Sequence, residues 1–247
     1  MKNFYSQWKK DEQAPFVGWD FSYLNDRWTE EHPPWDYEAL ARKLIQRSKA
    51  VLDMGTGGGE MLSSFALFPE RAVAMEGWRP NVAVAKRRLE PLGIEVLEVD
   101  ASDELPFSDG EFDLILNRHS AFRATEVFRI LKTGGIFLTQ QVGSDNLNDL
   151  VKEFDAVSQY KDWTFGRLKR QIRDAGFCID EAEEWQGKME FKDVGAIVYF
   201  LKNVPWVIQG FNVDENLQHL EKLQSRIDSK KKLVFTLVRF LVRASKS

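Results

Sequence analysis

From Lys49 onward, short apolar runs alternate with stretches whose apolar residues recur at helical spacing: KAVLDM, EMLSSFALF, AVAME, RPNVAVAKRRLE, IEVLEVD, FDLILN, ATEVFRILK and GIFLTQQV. A continuous apolar run suits a strand covered on both faces, whereas recurrence at i, i+3 and i+4 gives a helix a single apolar stripe. Strand and helix in alternation predict a parallel sheet with helices on both sides. Leu114 to Leu116 fit its buried middle, and Gly134 with Gly135 is expected to end a helix before the strand GIFLTQQV. After Gln141 the rhythm slows. Helices are expected near residues 145–154 and 165–174, then a strand FCIDEAEEW, an apolar helix DVGAIVYFL and a polar helix over about 214–229. The tail KLVFTLVRFLVRAS reads as a last strand by its β-branched and aromatic content, although Lys232, Arg239, Arg243 and Lys246 would share one face of a helix.

The start of the chain follows neither period. Trp8, Trp19, Trp28 and Trp35, half of the eight tryptophans, fall there, and Pro33–Pro34 closes the segment before Asp36, a helix cap for residues up to about Arg47. The expected organisation is an aromatic-rich extension or lid over residues 1–36 and one domain over 37–247, with a helical insertion at about 187–230 before the last strand.

Composition narrows the function classes. With 247 residues and 43% hydrophobic side chains, the chain can bury a substantial core. A net charge of −4 with 29% charged residues of both signs does not describe a surface that neutralises a polyanion, so nucleic acid is not the expected partner. The single cysteine, Cys178, cannot form an internal disulfide, and no Cys/His group has metal-ligand spacing, so no metal is expected. No apolar run approaches the roughly 18 residues of a membrane span, and MKNFYSQWKKDEQ lacks the apolar centre of a signal peptide. A cytoplasmic protein is expected; the oligomeric state is left open.

The candidate chemistry begins at VLDMGTGGGE, residues 51–60, a strand that runs into an acid and four glycines. A strand, a glycine turn and a helix bring backbone N–H groups close to a nucleotide-like ligand. A phosphate loop would need a lysine after its last glycine, and none is present. A dinucleotide fingerprint aligned on Gly55 and Gly57 would place Glu60 where the third glycine belongs.

The segment resembles the first motif of the class I S-adenosylmethionine-dependent methyltransferases, with Asp53, Gly55, Gly57 and Gly59 on its defining positions and Thr56 among them. The resemblance extends over about Leu40 to Val142. Glu76 closes the second strand where the family's acid accepts the ribose hydroxyls, with Gly77 and Trp78 beside the adenine. VDASDELPFSDGEFD is similar to the family's Asp-Ala-x-x-Leu-Pro-Phe segment, which implies that Asp100 meets the adenine amino group and that Ala101 donates its N–H to the ring. FDLILNRHS matches the fourth strand, with Asn117 at the methionyl end. The resemblance implies a Rossmann-like three-layer α/β/α fold with a seven-stranded, mostly parallel sheet whose last strand is antiparallel, and S-adenosylmethionine as cofactor.

Methyl transfer from a sulfonium is an in-line displacement in which positioning carries much of the catalysis and a base is optional. The end of the fourth strand supplies Arg118, a candidate for a substrate carboxylate or phosphate, and His119, the candidate base; His32 adjoins the Pro-Pro turn and His219 a polar helix. NRHS is not the Asn/Asp-Pro-Pro-Tyr/Phe motif of amino-methyltransferases acting on DNA bases. Trp19 and Trp28 in the extension, with Tyr199 and Trp206 in the late insertion, are candidates for an aromatic lid over an apolar or planar small molecule. An RNA or protein methyltransferase, and a cofactor-binding protein without turnover, are the alternatives.

Overall fold

The computed structural model describes residues 4–65, 67–100, 104–158 and 161–247. The chain begins with α1 (Tyr5–Gln13), β1 (Trp28–Glu30) and α2 (Tyr37–Ile45). Then follow β2 (Ala50–Met54), α3 (Glu60–Ser63), β3 (Arg71–Glu76), α4 (Arg79–Leu89), β4 (Glu95–Glu98), β5 (Phe112–Arg118), α5 (Ala124–Ile130) and β6 (Leu131–Val142). The rest comprises α6 (Asn148–Glu153), α7 (Phe165–Asp174), β7 (Cys178–Phe191), α8 (Val194–Asn203), α9 (Leu217–Asp228) and β8 (Leu233–Ser245).

All eight strands form one sheet in the order β1-β7-β8-β6-β5-β2-β3-β4. From β4 to β6 neighbours are parallel. β8 is antiparallel to both β6 and β7, so the tail is a strand and the sheet is the mixed α/β type expected. One strand exceeds the expected seven: Trp28–Glu30, in the N-terminal extension, pairs antiparallel with Met189–Phe191 at the far end of β7. A run of three residues carries too little alternation to be read as a strand, and only the neighbouring β7 makes it one.

Local chemistry accounts for the element ends that matter to the site. The Asp36 carboxylate accepts the Ala39 N–H at 2.9 Å and starts α2. α3 is a single turn, much shorter than the apolar spacing of EMLSSFALF predicts. Gly134 and Gly135 do not end a helix: α5 stops at Ile130, and the glycines lie in a bulge of β6. There Leu131 faces Phe112 while Ile136 faces Leu114, and Gly134 takes a φ of +77° that a side chain would resist.

Three apolar clusters hold these layers. Leu52, Met54 and Ile115 pack on one face of the central strands, and Val51, Leu114 and Leu116 on the other, as alternation along a strand requires. A third core joins Trp8 and Leu24 of the extension to α6, α8, α9 and the far halves of β7 and β8. The extension and the late insertion thus share one annex. β7 runs on to Phe191, so the helices of the insertion begin with α8. Among the described residues no helix is long and apolar enough to cross a membrane.

Candidate active site

β2 and β5 lie side by side, with Asp53 opposite Leu116 and Met54 opposite Asn117, so their C-terminal ends deliver Asp53, Asn117 and Arg118 to one place. In an open parallel sheet this is the edge where ligands bind. The turn after β2 is built for close approach. Gly55 and Gly57 have φ of +71° and +64°, and the N–H groups of Gly55 and Thr56 both donate to the Met75 carbonyl at 2.9 Å. A Cβ on Gly55 would strike the Ser120 side chain at 2.3 Å, whereas one on Gly57 would meet nothing nearer than Trp19 at 3.8 Å and Glu60 Oε2 at 4.0 Å. Gly59 serves a different purpose: a Cβ there would lie 2.8 Å from Leu89, so it lets α4 pack against the turn.

Glu76 closes the site on the β3 side. Its carboxylate accepts the Gly57 N–H at 2.6 Å and the Trp78 N–H at 2.8 Å, which ties the glycine turn to the end of β3. Burial holds its pKa above the usual carboxylate range. Gly77 brings the β4 loop close: a Cβ there would lie 3.2 Å from the Asp100 Cα. Asp100 and Trp78 are exposed at the rim. Ala101 lies outside the described residues.

Among the described residues, the buried side-chain atoms left without a hydrogen-bond partner are Tyr37 Oη, Asp53 Oδ2, Thr56 Oγ1, Asn117 Nδ2 and Arg118 Nε. They come from α2, β2, its turn and β5, and Tyr37 ties the set together. It is buried beside the charge of Asp53, and Arg118 stands over its ring at 6.0 Å. Buried polar groups are nearly always paired, so a cluster of orphans marks a place where a ligand completes the bonding. Burial pushes the Asp53 carboxyl up to about 6, against the pull of the neighbouring Thr56 hydroxyl and of the Arg118 charge. Burial likewise holds the Tyr37 hydroxyl above its usual pKa.

Beneath this cluster a polar layer runs through β6. Asn117 Oδ1 accepts from Thr139 Oγ1 at 3.0 Å and from Gln141 Nε2 at 2.5 Å, and Gln141 also reaches the Ser120 carbonyl at 3.1 Å. Gln140 accepts the Trp35 indole N–H at 2.7 Å and lies 3.0 Å from His119 Nε2. His119 has a φ of +58° and is exposed to solvent at the end of β5. Partial desolvation by the surrounding protein, with the charges of Arg239 and Arg118, holds its imidazole well below the usual range.

The four aromatic candidates divide. Trp19 and Trp206 are about 40% exposed and stack on each other at 5.5 Å beside the glycine turn. Tyr199 is buried, donates its hydroxyl to the Pro15 carbonyl at 3.1 Å and stacks on Tyr23. Trp28 is half-buried among Phe21, Phe191 and Phe200. Tyr37 and the run Thr139-Gln140-Gln141 were not among the sequence candidates. A polar triplet inside the apolar strand GIFLTQQV was the available signal.

The sheet order is that of a Rossmann-like fold, and the glycine turn and strand-end acids are similar to those of class I methyltransferase domains. A family model described as a methyltransferase domain matches residues 52–139. A fatty-acid O-methyltransferase of Mycolicibacterium smegmatis is 32% identical over 111 residues, covering 41% of this chain and 40% of that protein. A ubiquinone/menaquinone biosynthesis C-methyltransferase of Pseudoalteromonas translucida is 27% identical over 151 residues, covering 56% and 60%. The chain thus spans less than two thirds of either relative. The crystal structure of the YcgJ protein from Bacillus subtilis shares the fold with a TM-score of 0.62 at 19% identity, covering 85% of this chain and 97% of that one.

Proposed function

We propose that the chain transfers a methyl group from S-adenosylmethionine to a small, largely apolar acceptor. The orphan cluster carries this reading. Tyr37 Oη, Arg118 Nε and Asn117 Nδ2 are donors in want of acceptors, and Asp53 Oδ2 is an acceptor in want of a donor. An amino-acid zwitterion presents the complementary pair, a carboxylate and an ammonium. The methionyl end of this cofactor is such a group, and its sulfonium adds a second positive charge that an anionic Asp53 favours. Gly55, Thr56 and Gly57 would lie along it, Glu76 would take the ribose hydroxyls, and Asp100, Ala101, Gly77 and Trp78 would surround the adenine. Gly59 acts on the helix behind.

When bound, the cofactor supplies an activated methyl group with a neutral leaving group. The protein's part is to orient and to exclude water. The stacked Trp19–Trp206 pair supports an apolar or planar acceptor, because it lays aromatic surface at the mouth of the site. Relatives named for a fatty acid and for ubiquinone/menaquinone point the same way. Tyr199 and Trp28 support this lid from behind. The lone cysteine favours a reducing, cytoplasmic setting.

Calorimetry with S-adenosylmethionine and S-adenosylhomocysteine tests the reading. Micromolar binding that falls at least about 100-fold in Asp53→Ala and in Glu76→Ala is expected, in line with loss of a charged partner. Absence of binding to the wild type, or unchanged binding in both variants, would overturn it.

A further inference from the structure

The bonds through Trp35, Gln140 and His119 fix where a proton sits. An indole N–H only donates, and that of Trp35 meets Gln140 Oε1 at 2.7 Å. The amide is thereby oriented, and its NH2 group faces His119 Nε2 at 3.0 Å. A neutral imidazole that accepts at Nε2 carries its hydrogen on Nδ1. The His119 backbone N–H donates to the Gln140 carbonyl at 2.8 Å, so main chain and ring are held by the same residue. Nδ1 has no hydrogen-bond partner among the described residues, and the residue opens to solvent one position from Ser120, which lies on Gly55.

Two arginines act on the exposed ring. Arg118 comes from β5 and Arg239, whose side chain is 11% exposed, from β8. Glu38 of α2 reaches Arg118 only at 3.6 Å, and Glu30 of β1 reaches Arg239 only at 3.4 Å. Both arginines oppose protonation of His119, so the surroundings of the ring are electropositive.

We propose that His119 donates a hydrogen bond through Nδ1–H to an anionic oxygen of the methyl acceptor, which makes the acceptor a carboxylate or an ionised hydroxyl. This rests on the methyl transfer proposed above and replaces the expectation of His119 as base. An acceptor oxygen lone pair forms the new O–CH3 bond as the C–S bond breaks with its electron pair passing to sulfur. The negative oxygen and positive sulfur are neutralised together and no proton moves, so no base is required. A neutral His119 keeps its proton throughout and acts by orientation. Arg118 and Arg239 supply the field that draws an anion to the ring.

Long-range 1H–15N spectra of labelled protein read the tautomer directly and need no substrate. The Nδ1–H form is expected between pH 6 and 8, and Gln140→Glu, which places an acceptor opposite Nε2, is expected to invert it. A wild-type Nε2–H form, or a protonated ring at pH 7, would overturn the assignment. Calorimetry on protein saturated with S-adenosylhomocysteine then compares decanoate with decanol. Decanoate is expected to bind at least about 10-fold tighter, the size of a charge-assisted hydrogen bond. His119→Gly, which tolerates the positive φ but has no donor, should erase most of that preference, and His119→Asn should restore part of it. Equal binding of the two probes to the wild type, or a preference unmoved in His119→Gly, refutes the proposal. Should S-adenosylhomocysteine fail to bind while the tautomer holds and the ligand-free protein still prefers decanoate, the methyl-transfer reading falls and His119 remains a donor to an anionic oxygen.

Discussion

In the annex Asp11 is fully buried, yet Arg27 and Tyr23 each reach one of its oxygens at 2.8 Å and Gln7 reaches the other at 3.4 Å. At the sheet edge Asp53 is just as hidden, and one of its oxygens has no partner. The contrast extends outward from each. Arg27 also grips Asp193, the cap of α8, and the buried Glu12 holds Lys9 and the Val213 N–H. Around Asp53, three donors and a hydroxyl lie idle. The annex resembles a finished protein interior. The strand ends resemble half of an interface: an unpaired buried polar atom costs about 1–3 kcal/mol, and the proposed cofactor would supply the other half.

The sharpest break of this contrast is Arg27→Met. It strands Asp11 in the annex core, and urea unfolding should show a loss of about 3–5 kcal/mol, while the remaining folded protein binds S-adenosylhomocysteine within about threefold of wild type. A loss below about 1 kcal/mol would erase the distinction between the two regions.

Asp53→Asn should act in the opposite sense. The native carboxyl sits at about 6, above its unfolded value near 3.9, so the native state binds more protons. Stability from this group is present below pH 4 and is lost as the pH rises to about 6, a cost of about 3 kcal/mol at pH 8. The variant should therefore stabilise the ligand-free protein at pH 8, lose that advantage at pH 4, and bind the cofactor more weakly. Tyr37→Phe deletes another orphan and should raise ligand-free stability by about 1 kcal/mol, again at the expense of cofactor affinity. Trp206→Ala removes one stacked partner and should cost about 1 kcal/mol of stability while weakening an apolar acceptor more than the cofactor. Equal weakening of both would place the tryptophans in the cofactor wall.

The clustering of the proposed cofactor residues was legible because it follows from local order. Asp53, Gly55 and Gly57 are consecutive in one strand and turn, and Glu76 ends the next strand, so spacing alone brings them near. Tyr37 escaped notice because its role depends on α2 lying over β5, and an apolar stripe of Tyr37, Ala41 and Ile45 looks like any buried helix face. Gln140 was hidden for a similar reason, since its meaning rests on Trp35, distant in sequence and joined to it only by the fold. The tryptophans could be named as a group but not sorted. Which of them covers the site depends on how the annex folds against itself, which places Trp19 on Trp206 and Tyr199 under Pro15.

The short β1 has a consequence for how copies of the chain behave in concentrated solution. It pairs with the last three residues of β7, and Glu31 reaches back to the Lys188 carbonyl; among the described residues no strand pairs with the rest of β7 on that side. An uncovered strand of this length invites a second molecule to add to the sheet. Here the open stretch holds Asp180, Glu181, Glu183 and Glu184 in close succession, and two such edges meeting would set eight carboxylates of like sign against each other. The acidity of this stretch therefore opposes edge-to-edge pairing of two copies through β7.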